Sequence, residues 1–201
     1  MHIELTEMLR CPEPHQEDVM VLSTGEMVGR MVRFGLVGCS VCHKEYLITN
    51  GIVDFVGSVP APPPPHAAPR LPPPDAATIQ ALLELSGPGG FIVLVGDATR
   101  HAAGLGALMA GVHFVGINAP SEMEELPVLS LLRVGSVIPL RQAIARGVVV
   151  GRDLATSSWL VEALRVLLRG RRLVVEHDRP ELPIGLEQLA VAKGLWVGEK
   201  K

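Results

Sequence analysis

Cys11, His15, Cys39 and Cys42 are the residues of this 201-residue chain best suited, by type and spacing, to hold a metal ion. Cys39-Ser40-Val41-Cys42 sets two thiols on one tight turn, close enough for both sulfurs to reach a single tetrahedral Zn²⁺ at about 2.3 Å. A third thiol lies in Leu9-Arg10-Cys11-Pro12, and His15, four residues further on, is the best fourth ligand. His43 adjoins Cys42 and would have trouble turning to the same ion, and His2 precedes the knuckle. Three cysteines are an odd number for disulfides, so in a reducing compartment they serve a metal or stay inert. Two readings follow: a Cys₃His zinc site, or small side chains that pack without metal. A 57-residue segment with few large apolar side chains rarely folds unaided, which favours the metal.

A second constellation is of the nucleotide-binding type. In a Rossmann unit, a glycine-rich turn after the first strand lets backbone amides approach a cofactor, and an acidic residue ending the second strand takes the ribose hydroxyls. Here the turn reads Val95-Gly96-Asp97-Ala98-Thr99-Arg100, and the second strand ends Val115-Gly116-Ile117-Asn118. Gly96, Asp97, Ala98 and Asn118 are therefore the candidate cofactor contacts. Ala98 and Arg100 add bulk where backbone alone would be wanted, and Asn118 is a neutral acceptor where a carboxylate would be stronger. Asp97 reads either as a loop carboxylate or as an exposed turn residue. No catalytic set follows the fourth strand, where Asp153 in Gly151-Arg152-Asp153 reads as a turn or helix-entry residue. His101, His113 and His177 are scattered, and core or surface roles are expected of them.

These residues need elements to position them. Nine prolines fall between Pro60 and Pro74, a composition that favours an extended spacer over helix or sheet. It divides the chain into a module over 1–57, a proline-rich linker over 58–74 and a domain over 75–201. Within the domain, Asp75 caps a helix reaching about Leu85, and Phe91–Val95 is a short apolar run of the kind buried on both faces of a parallel sheet. A helix over about 100–110 follows, then strands over 112–117, 135–140 and 147–150. A helix led by Thr156-Ser157-Ser158 carries Trp159, Leu160, Ala163, Leu164, Leu167 and Leu168 at helical spacing up to Gly170. Strand 172–176, helix 186–193 and strand 195–197 complete the pattern. The alternation predicts an α/β class: a Rossmann-like, doubly wound, mostly parallel sheet preceded by a small β-rich module.

Composition narrows the function classes. Aromatic residues are 3% of the chain against 48% hydrophobic overall, so the core is aliphatic, as in strand-and-helix layers. Net charge is −3; residues 1–57 hold four basic against eight acidic residues, and residues 75–201 hold thirteen of each. No basic stripe results, so no direct nucleic-acid binding is expected. Every apolar run is cut by Gly, Pro or charge, and Met1 to Arg10 has no signal-like core, so a cytoplasmic protein away from the membrane is expected.

The order Leu9-Arg10-Cys11-Pro12, Cys39-x-x-Cys42 and Tyr46 through Phe55 resembles the small zinc-ribbon activator subunits of tRNA and rRNA methyltransferases. The resemblance covers about residues 3–56 and implies zinc bound at Cys11, Cys39 and Cys42. Pro14 stands at the second cysteine of that pattern, with His15 as a substitute displaced by one residue. Residues 76–198 resemble class I S-adenosylmethionine methyltransferases in the turn at Gly96 and in Arg165-Val166-Leu167-Leu168-Arg169-Gly170-Arg171-Arg172-Leu173-Val174-Val175-Glu176. That resemblance implies S-adenosylmethionine in the crevice, yet the departures fall on its contacts, and the usual closing hairpin reads as one strand short, leaving an open edge. The resulting expectation is a non-catalytic accessory or assembly protein that meets another subunit or a second copy. Its competitor is an active methyltransferase with an atypical cofactor loop. By the same resemblance, the zinc module is expected to add a strand to a methyltransferase-type sheet edge, in its own chain or in another.

Overall fold

The computed structural model describes residues 1–15, 20–57, 74–123 and 126–201. The proline-rich linker, apart from Pro74, lies outside the described residues. In chain order the strands are β1 (Met20–Val28), β2 (Met31–Cys39), β3 (Glu45–Thr49), β4 (Ile52–Asp54), β5 (Phe91–Val95), β6 (His113–Ile117), β7 (Leu129–Arg133), β8 (Ala145–Val150), β9 (Leu167–Val175), β10 (Leu186–Ala192) and β11 (Leu195–Lys200). The helices are α1 (Ala76–Leu83), α2 (Ala102–Leu108) and α3 (Ser157–Val166). The eleven strands form one mixed sheet in the order β1-β2-β3-β4-β7-β6-β5-β8-β9-β11-β10.

Strands β7, β6, β5, β8 and β9 are parallel neighbours, and β5 is the point from which the chain winds both ways. Alternation along the strands feeds two cores. Val93, Val95, Val148 and Val150 face α3, which contributes Leu160, Ala163 and Val166. Ile92, Leu94 and Val149 face α1 and α2, which contribute Ile79, Leu83, Ala102 and Leu105. The expected cap is present, since the Asp75 carboxylate accepts the Thr78 amide at 2.6 Å.

Among the described residues no helix lies between β6 and β8, and the N-terminal segment covers that stretch instead. A 3₁₀ turn over Ile3–Met8 buries Leu5, and Leu5 and Leu9 belong to the same buried cluster as Leu132, Ile138 and Leu140. Leu9 bridges Leu140, the Arg10 amide donates to the Pro139 carbonyl at 3.1 Å, and the Arg141 amide donates to the Met8 carbonyl at 2.8 Å. β4 pairs parallel with β7, with Ile52, Val53 and Asp54 opposite Leu131, Leu132 and Arg133. The ribbon β1–β4 is thus built into the edge of the parallel sheet of its own chain.

Three elements differ from their sequence expectation. The strand expected over 135–140 is a loop, and the strand lies earlier, at β7. Pro139 has no amide to donate, and side chains hold this loop: the Ile138 amide donates to Glu162, and Arg165 donates to the Ile138 and Leu140 carbonyls. The helix expected to run to Gly170 ends at Val166, and Gly170 sits inside β9 at φ +66°. The helix expected over 186–193 is β10, because Lys193 (φ +52°) and Gly194 (φ +78°) form a two-residue turn that folds it onto β11. The closing hairpin is therefore present, and among the described residues the open edge falls on β10. No helix among the described residues is long and apolar enough to cross a membrane.

Candidate functional site

The ligand atoms of Cys11, His15, Cys39 and Cys42 lie within 4.8 Å of one another. Cys39 ends β2, Cys42 closes the following turn, and Cys11 and His15 come from the chain just after the Leu9 bridge. In the turn, the His43 amide donates to the Cys39 carbonyl at 3.1 Å and His43 takes φ +58°. His43 is exposed and outside the cluster, as the sequence predicts, while His2 lies against His113 with ring centroids 4.4 Å apart and the rings tilted by 52°.

The distances match the geometry of a tetrahedral ion. With Zn–S about 2.3 Å and Zn–N about 2.0 Å, neighbouring ligand atoms should be about 3.8 Å apart for two sulfurs and about 3.5 Å for sulfur and nitrogen. The Cys11 and Cys42 sulfurs are 3.7 Å apart, and Cys39 Sγ is 3.3 Å from His15 Nε2. Burial works against a thiolate at Cys39, yet the Cys42 and Val41 amides aimed at its sulfur bring it down to about 7. Burial pushes the Cys11 thiol up to about 11. Around the cluster, the Tyr46 hydroxyl lies 3.7 Å from Cys11 Sγ, and Lys44 pairs with Glu13 at 2.8 Å, tying the knuckle to the chain between Cys11 and His15.

The crevice at the strand ends is arranged differently. Gly96 is buried at φ +63° and opens a short 3₁₀ turn over Gly96–His101; Ala98 is buried, and Asp97 is half-buried. A side chain on Gly96 would collide with the Asp153 carboxylate, and one on Gly151 would collide with that carboxylate and with the Asp97 and Ala98 amides. Asp153 Oδ1 accepts the Asp97 amide at 3.0 Å. Burial, reinforced by the Asp97 carboxylate, raises the Asp153 pKa above the usual range.

Asn118 lies at φ +50°, where asparagine is better tolerated than most residues, and its amide is bonded at both ends. Nδ2 donates to the Val134 carbonyl at 3.0 Å, and Oδ1 accepts the Val134 amide at 2.8 Å. Its own backbone amide donates to the Leu132 carbonyl at 2.9 Å, so Asn118 extends the β6–β7 ladder by a side chain.

Sequence reasoning assigned no site role to Arg100, His101, Asp153 or Glu176, which the fold brings to the same strand ends. Arg100 donates to the Asp97 carbonyl at 2.7 Å and to Glu176 Oε2 at 2.5 Å; His101 Nε2 lies 2.7 Å from Glu176 Oε1. Glu176 and His101 are buried. Burial opposes ionisation of Glu176, but His101 and Arg100 hold its carboxyl below the usual range. The available signal was positional: Asp153 follows a strand-end glycine, and Glu176 follows an apolar strand.

No protein-family model matches this sequence, and no curated protein matches it. Solved structures similar to the chain include a geranyl diphosphate C-methyltransferase from Streptomyces coelicolor A3(2), 14% identical over 50% of this chain and 41% of that one, with a TM-score of 0.43. A chain of the complex between the Haloferax volcanii Trm112 methyltransferase activator and a methyltransferase is 14% identical, covering 62% and 89%, at 0.45. A SAM-dependent methyltransferase from Aquifex aeolicus is 15% identical, covering 63% and 88%, at 0.45. The chain spans less than half the length of the first of these. At these values the likeness assigns no residue and no reaction.

Proposed function

We propose that this chain is a non-catalytic, methyltransferase-like accessory or assembly protein, in which a zinc-holding module over 1–57 is joined through the linker over 58–74 to a closed Rossmann-type domain over 75–201. The observation that carries this reading is the pair of hydrogen bonds between the Asn118 side-chain amide and the Val134 backbone. An adenosyl donor needs an acceptor for its ribose at that strand end, and both polar atoms of the side chain already have partners inside the sheet. The Asp153 carboxylate over Gly96 supports the same reading, because backbone could approach a ligand there only if the carboxylate left. Both features count against S-adenosylmethionine at these strand ends.

The cysteine cluster does fit zinc. Cys11, His15, Cys39 and Cys42 supply four ligands and leave no open position, which makes the ion structural. It would cross-link the β2–β3 turn to the segment that lies on the parallel sheet through Leu9 and Arg10.

Isothermal titration of the purified chain with S-adenosylmethionine tests the proposal. We expect no saturable heat up to about 1 mM ligand, and a Kd near 1 μM, about −8 kcal/mol, would overturn the reading. The competing reading, an active methyltransferase with an atypical loop, requires that binding, because Asp153 and Asn118 would have to release their partners to a cofactor.

A further inference from the structure

The sheet ends on one side in β10, a seven-residue edge strand whose residues from Glu187 onward are all exposed. Edge strands are usually blunted by lysine, proline or strong bulging, because their free amides and carbonyls recruit other strands. The opposite edge, β1, carries two register shifts and a charged residue, Glu26, between them. β10 has one shift, at Leu189, and its segment Gln188-Leu189-Ala190-Val191-Ala192 contains neither charge nor proline. Exposed apolar side chains gather there: Leu189 and Val191 on the strand, Leu182 before it, and Ile184 fully exposed.

The charges at its two ends indicate what covers it. Glu187 stands at the start of the strand and Lys193 just past its end. An antiparallel copy centred on Ala190 would set Leu189 against Val191 and Glu187 against Lys193, twice over by symmetry. A parallel copy in register would set like charges together, so the edge is complementary to itself in one orientation only. Glu187 pairs with Lys201 at 3.2 Å within its own chain, which leaves a carboxylate oxygen free for a second cation.

We propose that β10 is the interface of a homodimer in which two copies join edge to edge, antiparallel through Ala190, into one continuous sheet. The interface is independent of whether the crevice binds a cofactor.

The test is the mass of the full-length chain by analytical ultracentrifugation across a concentration series, with circular dichroism to confirm folding. The wild type should be a dimer. Val191→Lys, which places a charge in the uncharged stretch while leaving the buried face intact, should give a folded monomer. Lys193→Glu should weaken dimerisation roughly tenfold, and the double variant Glu187→Lys/Lys193→Glu should recover part of that loss, because it restores opposite charges between the copies at the expense of the bridge to Lys201. A wild-type monomer throughout the series would overturn the proposal. So would a dimer unaffected by Val191→Lys, or a double variant no better than the single one.

Discussion

Asn118 shows how one side chain decides what a strand end can do. Its amide donates to and accepts from the same backbone residue, Val134, a role that needs a donor and an acceptor on one group. A carboxylate supplies only acceptors, so Asn118→Asp should leave the Val134 carbonyl without its donor and set a negative charge against it. The expected loss is about 1–3 kcal/mol in urea denaturation, with no gain of cofactor binding. Sequence reading identified Asn118 as a departure but could not supply the cause, because Val134 lies sixteen residues away across a strand pair. Asp153 was illegible for the same reason: its partners are glycines on two separate strand ends, and their meaning appears only once β5 and β8 lie side by side. The cysteines were easier, because Cys39-x-x-Cys42 is local chemistry that tertiary context completes without altering.

Among the elements, the legible ones carry their whole signal in contiguous residues. The run Phe91–Val95 is buried on both faces of the sheet, and Asp75 caps its helix with its own side chain. The misread ones depend on distant partners. Leu186–Ala192 has leucines at helical spacing, yet the turn at Lys193-Gly194 and the bond from Trp196 Nε1 to Gln188 Oε1, 3.1 Å, commit it to a strand. The N-terminal segment is the same kind of case, since nothing local says that Leu5 and Leu9 stand where a crossover helix would. This arrangement would give a zinc ion held by the cluster a specific mechanical task. Chelation should release Cys11 and His15 from the β2–β3 turn, so hydrogen exchange should rise first in β1–β3 and the Leu9–Arg10 contacts, while β5 and β8 stay protected. His15→Ala should lower zinc content by inductively coupled plasma mass spectrometry from one ion per chain toward none. Full retention of zinc by that variant would remove His15 from the ligand set.

At the scale of the molecule, two parts that read as separate in sequence share one eleven-stranded sheet through β4 and β7. The expected strand addition takes place within the chain, so β7 is covered and β10 remains open at the far edge. The crevice at the strand ends is filled by the chain's own groups: Asp153 over Gly96, Arg100 and His101 on Glu176, Asn118 on Val134. Under the proposed accessory role, the chain would present rigid surfaces and edges while its strand ends bind no adenosyl donor. Amide resonances of the labelled protein, followed during titration with S-adenosylmethionine and with its demethylated product, read that claim directly. Gly96, Asp97 and Asn118 should hold their positions up to saturating ligand, whereas saturable shifts at those three amides would contradict a closed crevice.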